Sequence, residues 1–490
     1  MEQQITGDYI LAVDVGTSGV KALAVSPAGT IRQQARAAYA SHHPQTGFAT
    51  QDPDEILRQT RHVLVSVRAA CGQLPLAIVW SSAMHGVMAV DSEGQALTPL
   101  ITWADLRSIP QARELIQTGV ADEIFQVGGT PIHPMAPLCK LMWLRLEAPD
   151  VFRTAHKFVS VKEYILFRLT GSWQVDYSIA SATALFHTRH LRWHDDALRL
   201  AGINGSKLSD PVPTTSTATI QTDWLGHDWR GIPLVFGASD GCLAQLGSGA
   251  TAPGALSVTI GTSSAVRELV TTFAPSVRSR LFCYYLRPGQ FVRGGASNNG
   301  TNVIDWLQRA FSPAATGLDE LATHLNHVPA GAEGLLCLPF FFGERAPHYN
   351  PHARGVFFGI TSAHAPVHFQ RAAVEGICFA VKSLMEAIHA GAPRGIYLSG
   401  GFTKSATLVQ LLANVIQVPV RVCDTPEASA MGAAELGFAA LGVDVRWTKV
   451  PTMVCQPNAQ TTEVYSRLYE LYQSLCRNLE PLFETSDPHH

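Results

Sequence analysis

Charged side chains are scarce. Asp, Glu, Lys and Arg make up 15% of the 490 residues, where about 25% is usual. The 36 basic and 39 acidic residues nearly cancel, leaving a formal net charge of −3. No basic stripe exists to collect nucleic-acid phosphates, and no polybasic segment to attach the chain to an anionic membrane. The nine cysteines are scattered, with the closest pair, Cys455 and Cys476, 21 residues apart. That spacing excludes CxxC and finger-type metal sites and a disulfide framework. HExxH, GxGxxG and GxxxxGK[ST] are all missing, which removes the zinc-protease, dinucleotide and P-loop readings. No apolar run approaches 18 residues, and the opening MEQQITGDY has neither a basic nor an apolar leader region. The expected setting is cytoplasmic, with no nucleic-acid or membrane partner.

Hydrophobic residues are abundant, at 46%, so the chain can bury large cores. Its length suggests more than one of them, at roughly 150 residues per domain. Tyr9–Gly29 reads as strand, loop, strand, with Gly16-Thr17-Ser18 at the turn. The same shape returns at Ala255–Val270, where Gly261-Thr262-Ser263 lies 245 residues later, half the chain length. A repeat at this period predicts two halves on one plan, residues 1–249 and 250–490, with the boundary in the small-residue stretch Gly249–Pro253. Between the hairpins, apolar runs and helical patterns alternate, giving the α/β class. Ile232–Ala250 reads as strand, Ser-Asp-Gly turn, helix, and Gly395–Val420 as strand, Gly-Gly turn, helix. Pro137 opens a helix, and Lys157–Gly171 reads as another that ends on a capping glycine.

Several of these turns suit phosphate chemistry. In the first hairpin, glycine and consecutive amides with the Thr17 and Ser18 hydroxyls offer close donors to phosphate oxygens. Asp14 at the strand end suits Mg²⁺, directly or through water, and Lys21 offers a point charge. Gly261 and Thr262 offer the same donors from the second half. Gly400-Gly401, with Ser405 beyond, lies where a strand ends and a helix begins, the usual position of a ligand in such sheets. Asp240, at another strand-to-helix turn, suits a base that orients a hydroxyl for phosphoryl transfer. Met84-His85, Trp103, Asp105, Arg107, Asp176 and Asn298-Asn299 offer an aromatic plate and polar groups for a hydroxylated carbon chain. Each position also has a plain structural role open to it: ordinary turns, a helix N-cap at Asp240, a core tryptophan, a surface Asp105–Arg107 pair.

Taken in order, Asp14-x-Gly16-Thr17, Met84-His85-Gly86, Gly237-Ala238-Ser239-Asp240-Gly241, Gly261-Thr262 and Ser399-Gly400-Gly401 resemble the FGGY carbohydrate kinases. The likeness spans about Tyr9 to Ala440. Gly355–Gly376 is similar to the family's C-terminal signature at Gly355, Gly359, His368, Ala372 and Glu375. Met135, Pro137, Lys140, Trp143 and Leu144 fit the N-terminal one, while Leu146 stands where that pattern has a polar residue.

The resemblance implies two ribonuclease-H-like domains of the actin-like ATPase fold flanking a central cleft that holds ATP, Mg²⁺ and a sugar. It makes Asp240 the catalytic base and Asp14 the metal-associated carboxylate. Gly16, Thr17, Ser18, Lys21, Gly261, Thr262, Gly400, Gly401 and Ser405 become nucleotide contacts. Met84, His85 and Met135 line the sugar pocket. Stretches 133–144, 176–186 and 294–300 look most like the gluconate kinases, and Met84-His85 is also similar to the xylulose kinases. The expected reaction is ATP-dependent phosphorylation of gluconate at a terminal hydroxyl, with His85, Arg107 and Asn298-Asn299 as candidate partners of its carboxylate. Homodimers are frequent in the family. A sugar sensor on the same fold and a chaperone-type ATPase are rivals from other classes. The first would normally carry a helix-turn-helix, and the second leaves Met84-His85 without a purpose.

Overall fold

The N-terminal half is built on a six-stranded sheet. Its strands are β1 (Ile10–Val15), β2 (Gly19–Val25), β3 (Ile31–Ala38), β4 (Ile78–Ser82), β5 (Thr217–Thr219) and β6 (Pro233–Ser239), in the order β5-β6-β4-β1-β2-β3. The computed structural model describes residues 9–311, 318–389, 391, 393–423, 427–445, 447 and 450–485. β1 runs antiparallel to β2 and parallel to β4, which in turn runs parallel to β6. Ile10 to Val13 are wholly buried because helices cover both faces of the sheet. The alternation of a strand divides them. Leu11 and Val13 pack with Ile56, Val63 and Leu64 of α1 (Pro53–Cys71), whereas Ile10 and Ala12 join the opposite core with Val79. Helix α1 starts where the Asp52 side chain accepts from the Asp54 amide and stops at Gly72, which is left-handed at φ +71°.

The C-terminal half repeats the plan. Strands β7 (Ala255–Ile260), β8 (Ser264–Val270), β9 (Phe282–Arg287), β10 (Gln290–Ser297), β11 (Gly395–Ser399), β12 (Val420–Cys423) and β13 (Pro451–Cys455) lie in the order β9-β10-β8-β7-β11-β12-β13. β7 is antiparallel to β8 and parallel to β11, as β1 is to β2 and β4. The hairpins β1–β2 and β7–β8 therefore hold matching places in two sheets of one topology.

The helices that matter to the site are α2 (Pro137–Glu147), α3 (Val161–Thr170), α4 (Tyr177–Ser181), α5 (Asp240–Gly247), α6 (Thr301–Phe311), α7 (Pro366–Ile388), α8 (Ala406–Ile416), α9 (Ala428–Ala440) and α10 (Thr462–Thr485). One expected helix is shorter than its pattern suggested. Lys157–Val159 forms a strand paired with Met88–Val90, and α3 begins only after Ser160, whose hydroxyl and Glu163 make a reciprocal capping box. Among the described residues no helix is long and apolar enough to cross a membrane.

Helix α9 crosses from the C-terminal half onto the N-terminal sheet, burying Ala430, Ala433 and Phe438 beside Ile10 and Val79. It meets α5 at two glycines. A Cβ on Gly247 would lie 1.8 Å from the Ala428 carbonyl oxygen, and one on Gly432 2.0 Å from that of Leu243. The residues of the C-terminal signature hold this architecture and stand away from the cleft. Glu375 on α7 accepts from Arg371 Nε (2.6 Å), the Tyr465 hydroxyl of α10 (2.8 Å) and the Gly331 amide (3.1 Å). A Cβ on Gly376 would lie 2.4 Å from the Cys337 carbonyl oxygen.

Candidate functional site

Both hairpin turns are tied down by their own backbones. The Gly16 amide donates to the Gly19 carbonyl (3.0 Å) and the Gly261 amide to that of Ser263 (2.9 Å). Around the first turn, Trp103 Nε1 donates to Thr17 Oγ1 (2.9 Å), and the Tyr39 hydroxyl and Gln51 amide bond the Gly16 and Thr17 carbonyls. Asp14, one turn-length earlier, accepts from Ser81 Oγ (2.7 Å). The second turn abuts the start of α6, where the Thr301 amide donates to the Gly261 carbonyl (2.7 Å). Gly400 presses against the same turn at φ +92°. A Cβ there would stand 2.5 Å from the Ile260 carbonyl oxygen, so only glycine fits. Gly401 lies beside it, 3.5 Å from Thr301 Cγ2 by the same measure. Ser405 is the buried residue on which α8 begins.

Asp240 is the first residue of α5, and its Oδ1 accepts from the Gly241 amide (2.6 Å). The approach to it is irregular. The β6–β4 register shifts between Val235 and Ala238, and Gly237, at φ +68°, passes so close that a Cβ would lie 1.8 Å from the Trp80 carbonyl oxygen. Such a bulge re-aims the end of a strand, here delivering Asp240 to the cleft.

Asp240, Thr17 of the first turn and Ser263 of the second line one cavity of about 210 Å³. Met84, His85, Trp103 and Met135 line it too. His85 adopts φ +68° and is buried. Its Nδ1 lies 2.7 Å from the Ala182 carbonyl, which fixes the proton there and leaves Nε2, 3.3 Å from the Tyr284 hydroxyl, as acceptor. Burial drives its pKa down to about 3, so the ring is neutral. Lys140 of α2 holds the strained loop from beneath, donating to the His85 and Thr102 carbonyls at 2.7 Å each. Burial pushes Asp240 up to about 6, aided by the like charge of Asp14 and opposed by Arg267. Asp14 is raised as well, first by burial.

Other expected site residues are engaged elsewhere. Asp105 is wholly buried, its carboxylate taken by Arg107 (2.8 Å from each oxygen) and by the Ala49 amide (2.6 Å). Arg107 lies over the Phe48 ring at 4.0 Å and that of Trp143 at 4.9 Å, so it does not reach a substrate carboxylate in the cavity. Asp176 makes a buried ion pair with Lys162 (2.7 Å) and caps α4 through the Ile179 amide (3.0 Å). Asn298 donates to the Phe342 carbonyl (3.0 Å), and Asn299 to the Gly343 carbonyl (2.8 Å). Lys21 pairs with Glu427 at 2.7 Å, which occupies its charge. Conversely, Arg267, Tyr284, Arg345 and Tyr349 line the cavity without having been singled out. Arg267 sits on β8 in the face of Ala265, a signal readable from alternation. Glu344-Arg345, charged residues straight after the apolar run LLCLPFFFG, were a second.

The donor set suits a divalent cation held mainly by a nucleotide. Among the described residues no cluster of three His, Cys, Asp or Glu exists to cage a metal. Asp14, however, lies near enough to Asp240 for its charge to raise the Asp240 pKa. Mg²⁺ typically takes one or two carboxylates plus phosphate oxygens and waters.

Comparison with known proteins agrees with the cleft. The FGGY carbohydrate kinase N-terminal domain matches residues 9–247 and the C-terminal domain 256–441. The chain is 35% identical to the gluconokinase of Bacillus subtilis, over 96% of both chains. Its structure is similar to that of a gluconate kinase from Lactobacillus acidophilus, with a TM-score of 0.92 and 30% identity over 97% of this chain and 99% of that one. A ligand-bound xylulose kinase from the same organism matches with the same score, identity and coverage. With both domains and the actin-like ATPase fold in place, the chain belongs to the FGGY family of carbohydrate kinases, ATP-dependent phosphotransferases acting on sugars.

Proposed function

We propose that the enzyme phosphorylates D-gluconate at its terminal hydroxyl, giving 6-phosphogluconate, with Asp240 as the base. The observation that carries this reading is the single cavity lined by Asp240 and by both hairpin turns. The gluconate kinases among its relatives support the acceptor.

The lobes meet near residues 249 and 250, and the nucleotide lies between them. Amides and hydroxyls of Gly16–Ser18 and Gly261–Thr262 receive its phosphates, and Gly400, Gly401 and Ser405 flank the adenosine end. Asp14 would hold Mg²⁺, which when bound would supply neutralisation of the nucleotide's phosphate charge. Met84, His85, Trp103 and Met135 shape the acceptor pocket. Asp240 accepts the hydroxyl proton as the oxygen bonds the γ-phosphorus and the bond to the β–γ bridging oxygen breaks, releasing ADP. Because the transition state is loose, the proton leaves late and a weak base suffices. Orientation of the hydroxyl is the larger contribution. Free cysteines throughout the described residues suit the reducing cytoplasm, where ATP is plentiful.

Xylulose is the second reading, favoured by the equal structural match to a xylulose kinase. An ADP-release assay over gluconate, xylulose, ribulose and glycerol separates the two. Gluconate is expected to give the highest kcat/KM. Turnover of the neutral sugars without gluconate would reject the acceptor assignment and leave the kinase class standing.

A further inference from the structure

The acceptor cavity is lined by two arginines, Arg267 and Arg345, and neither makes an ion pair among the described residues. Their surroundings differ. Arg267 Nη1 donates to Thr259 Oγ1 (3.3 Å), and its Nε would lie 3.4 Å from a Cβ placed on Gly241. It thus stands beside the start of α5, where Asp240 answers its charge.

Arg345 has only its chain neighbour Glu344 as a nearby carboxylate charge. Its guanidinium lies 4.8 Å from the centre of the Trp103 ring, and Nη2 donates to the Ser297 carbonyl (3.1 Å). Nε is buried without a hydrogen-bond partner. The neighbouring Glu344 is committed elsewhere. Its oxygens accept from Ser297 Oγ (2.7 Å), the amides of Asn298 (3.2 Å) and Arg345 (2.7 Å), and Asn299 Nδ2 (3.2 Å). Nearby His85 and His133 are driven down to about 3 by burial and carry no charge. A half-buried cation with a buried, idle donor is costly unless a ligand completes it, and a guanidinium fork matches a carboxylate in two parallel hydrogen bonds.

We propose that Arg345 sets the preference of this site for an anionic acceptor, its guanidinium receiving the carboxylate of an aldonate while the chain's terminal hydroxyl lies at Asp240. This rests on the sugar-acid reading above and assigns the residue that enforces it.

D-Glucitol carries the same carbon chain as gluconate with a hydroxymethyl group in place of the carboxylate, which isolates the charge. Wild type, Arg345→Gln and Arg345→Lys are compared on both acceptors, each assayed as substrate and, where turnover is slow, as competitive inhibitor. The gluconate-to-glucitol ratio of kcat/KM, or of inhibition constants, is expected to fall roughly 10- to 150-fold in Arg345→Gln, the range for a charged hydrogen bond. Arg345→Lys, which keeps the charge and loses the fork, falls in between. Thermal melting and ATP affinity report whether each variant is folded. Packing damage lowers both acceptors together and leaves the ratio alone. A ratio unmoved in both variants of an enzyme that uses gluconate overturns the inference by itself. A wild type that phosphorylates neutral sugars and no aldonate fails the sugar-acid reading, and the inference with it.

Discussion

The two halves share a strand order but not a charge. Asp14 at the end of β1 and Thr259 near the end of β7 stand 245 residues apart at matching positions. Ala22 on β2 and Arg267 on β8 correspond in the same way. The N-terminal half therefore brings carboxylates to the cleft, Asp14 and Asp240, while the C-terminal half brings guanidinium groups, Arg267 and Arg345. Duplicated topology yields two equivalent turns, and unequal side chains on them divide the work. In the proposed reaction one wall would handle the metal and the proton, the other anionic oxygens. Fold supplied the symmetry and individual substitutions supplied the chemistry.

The largest test of this division lies on the acidic wall. Asp240→Asn keeps the size and the contact to the Gly241 amide but cannot take a proton. Its kcat is expected to fall about 10²- to 10⁴-fold, the range for a lost general base, with ATP affinity, measured by titration, nearly unchanged. A rate within a few-fold of wild type would remove Asp240 from that role. The same variant should gain stability. The carboxyl rises from 3.8 to about 6 on folding, so the folded state binds more protons through that window and stability declines as pH rises across it. Melting at pH 7.5 is expected to show about 1–3 kcal/mol of stabilisation in Asp240→Asn, fading towards pH 4. Equal melting at both pH values would mean that the site stores no such strain.

The two turns can be compared directly through their glycines. A Cβ on Gly16 would meet nothing nearer than the Gly19 carbonyl oxygen at 3.3 Å, and one on Gly261 nothing nearer than that of Ser263 at 4.0 Å. Neither glycine has positive φ. Alanine thus fits the second turn freely and the first with a shift of a few tenths of an ångström, so a cost beyond that shift reports on a ligand pressed against the backbone. Gly16→Ala and Gly261→Ala should each raise the KM for ATP about 10-fold, the loss of about 1.4 kcal/mol, with little change in melting temperature. If only one of them does, the phosphates are gripped from one side. Gly400→Ala is the contrasting control, because its Cβ would collide with Ile260 whether or not nucleotide is bound.

What the sequence made legible follows the range of the interaction. Both turns, the Asp240 strand-to-helix junction and the Gly400 turn are local patterns of glycine, hydroxyl and acid between apolar runs, and all lie where those patterns suggested. Asp105, Asp176 and Lys21 looked equally suited to ligands. Their partners, Arg107, Lys162 and Glu427, differ in how visible they were. Arg107 stands two residues from Asp105, but Lys162 and Glu427 reach their partners only through tertiary packing. In a chain this poor in charge, an isolated acid draws attention, yet burial with an opposite charge is just as good a reason for its presence. Arg345 shows the converse. It enters the cavity from a connection after the strand-like run 336–338, marked in the sequence only by the charged pair Glu344-Arg345 after apolar residues, and its idle Nε is visible only in the folded molecule.

The smallest expected effect is the most specific to the pairing of Asp14 with Asp240. In wild type, kcat/KM for the acceptor should decline as pH drops below about 6, because a protonated Asp240 cannot accept the hydroxyl proton. Asp14 contributes to that position by like-charge repulsion, second only to burial. Asp14→Asn removes the repulsion, so the acid limb should move to lower pH, even as the lost metal-associated carboxylate raises the Mg²⁺ concentration needed for half-maximal rate. The two shifts have different origins and are read in separate titrations. A higher Mg²⁺ requirement with an unmoved limb would mean that bound cation already cancels Asp14 in the working complex, whereas a limb displaced upward would contradict the electrostatic coupling itself.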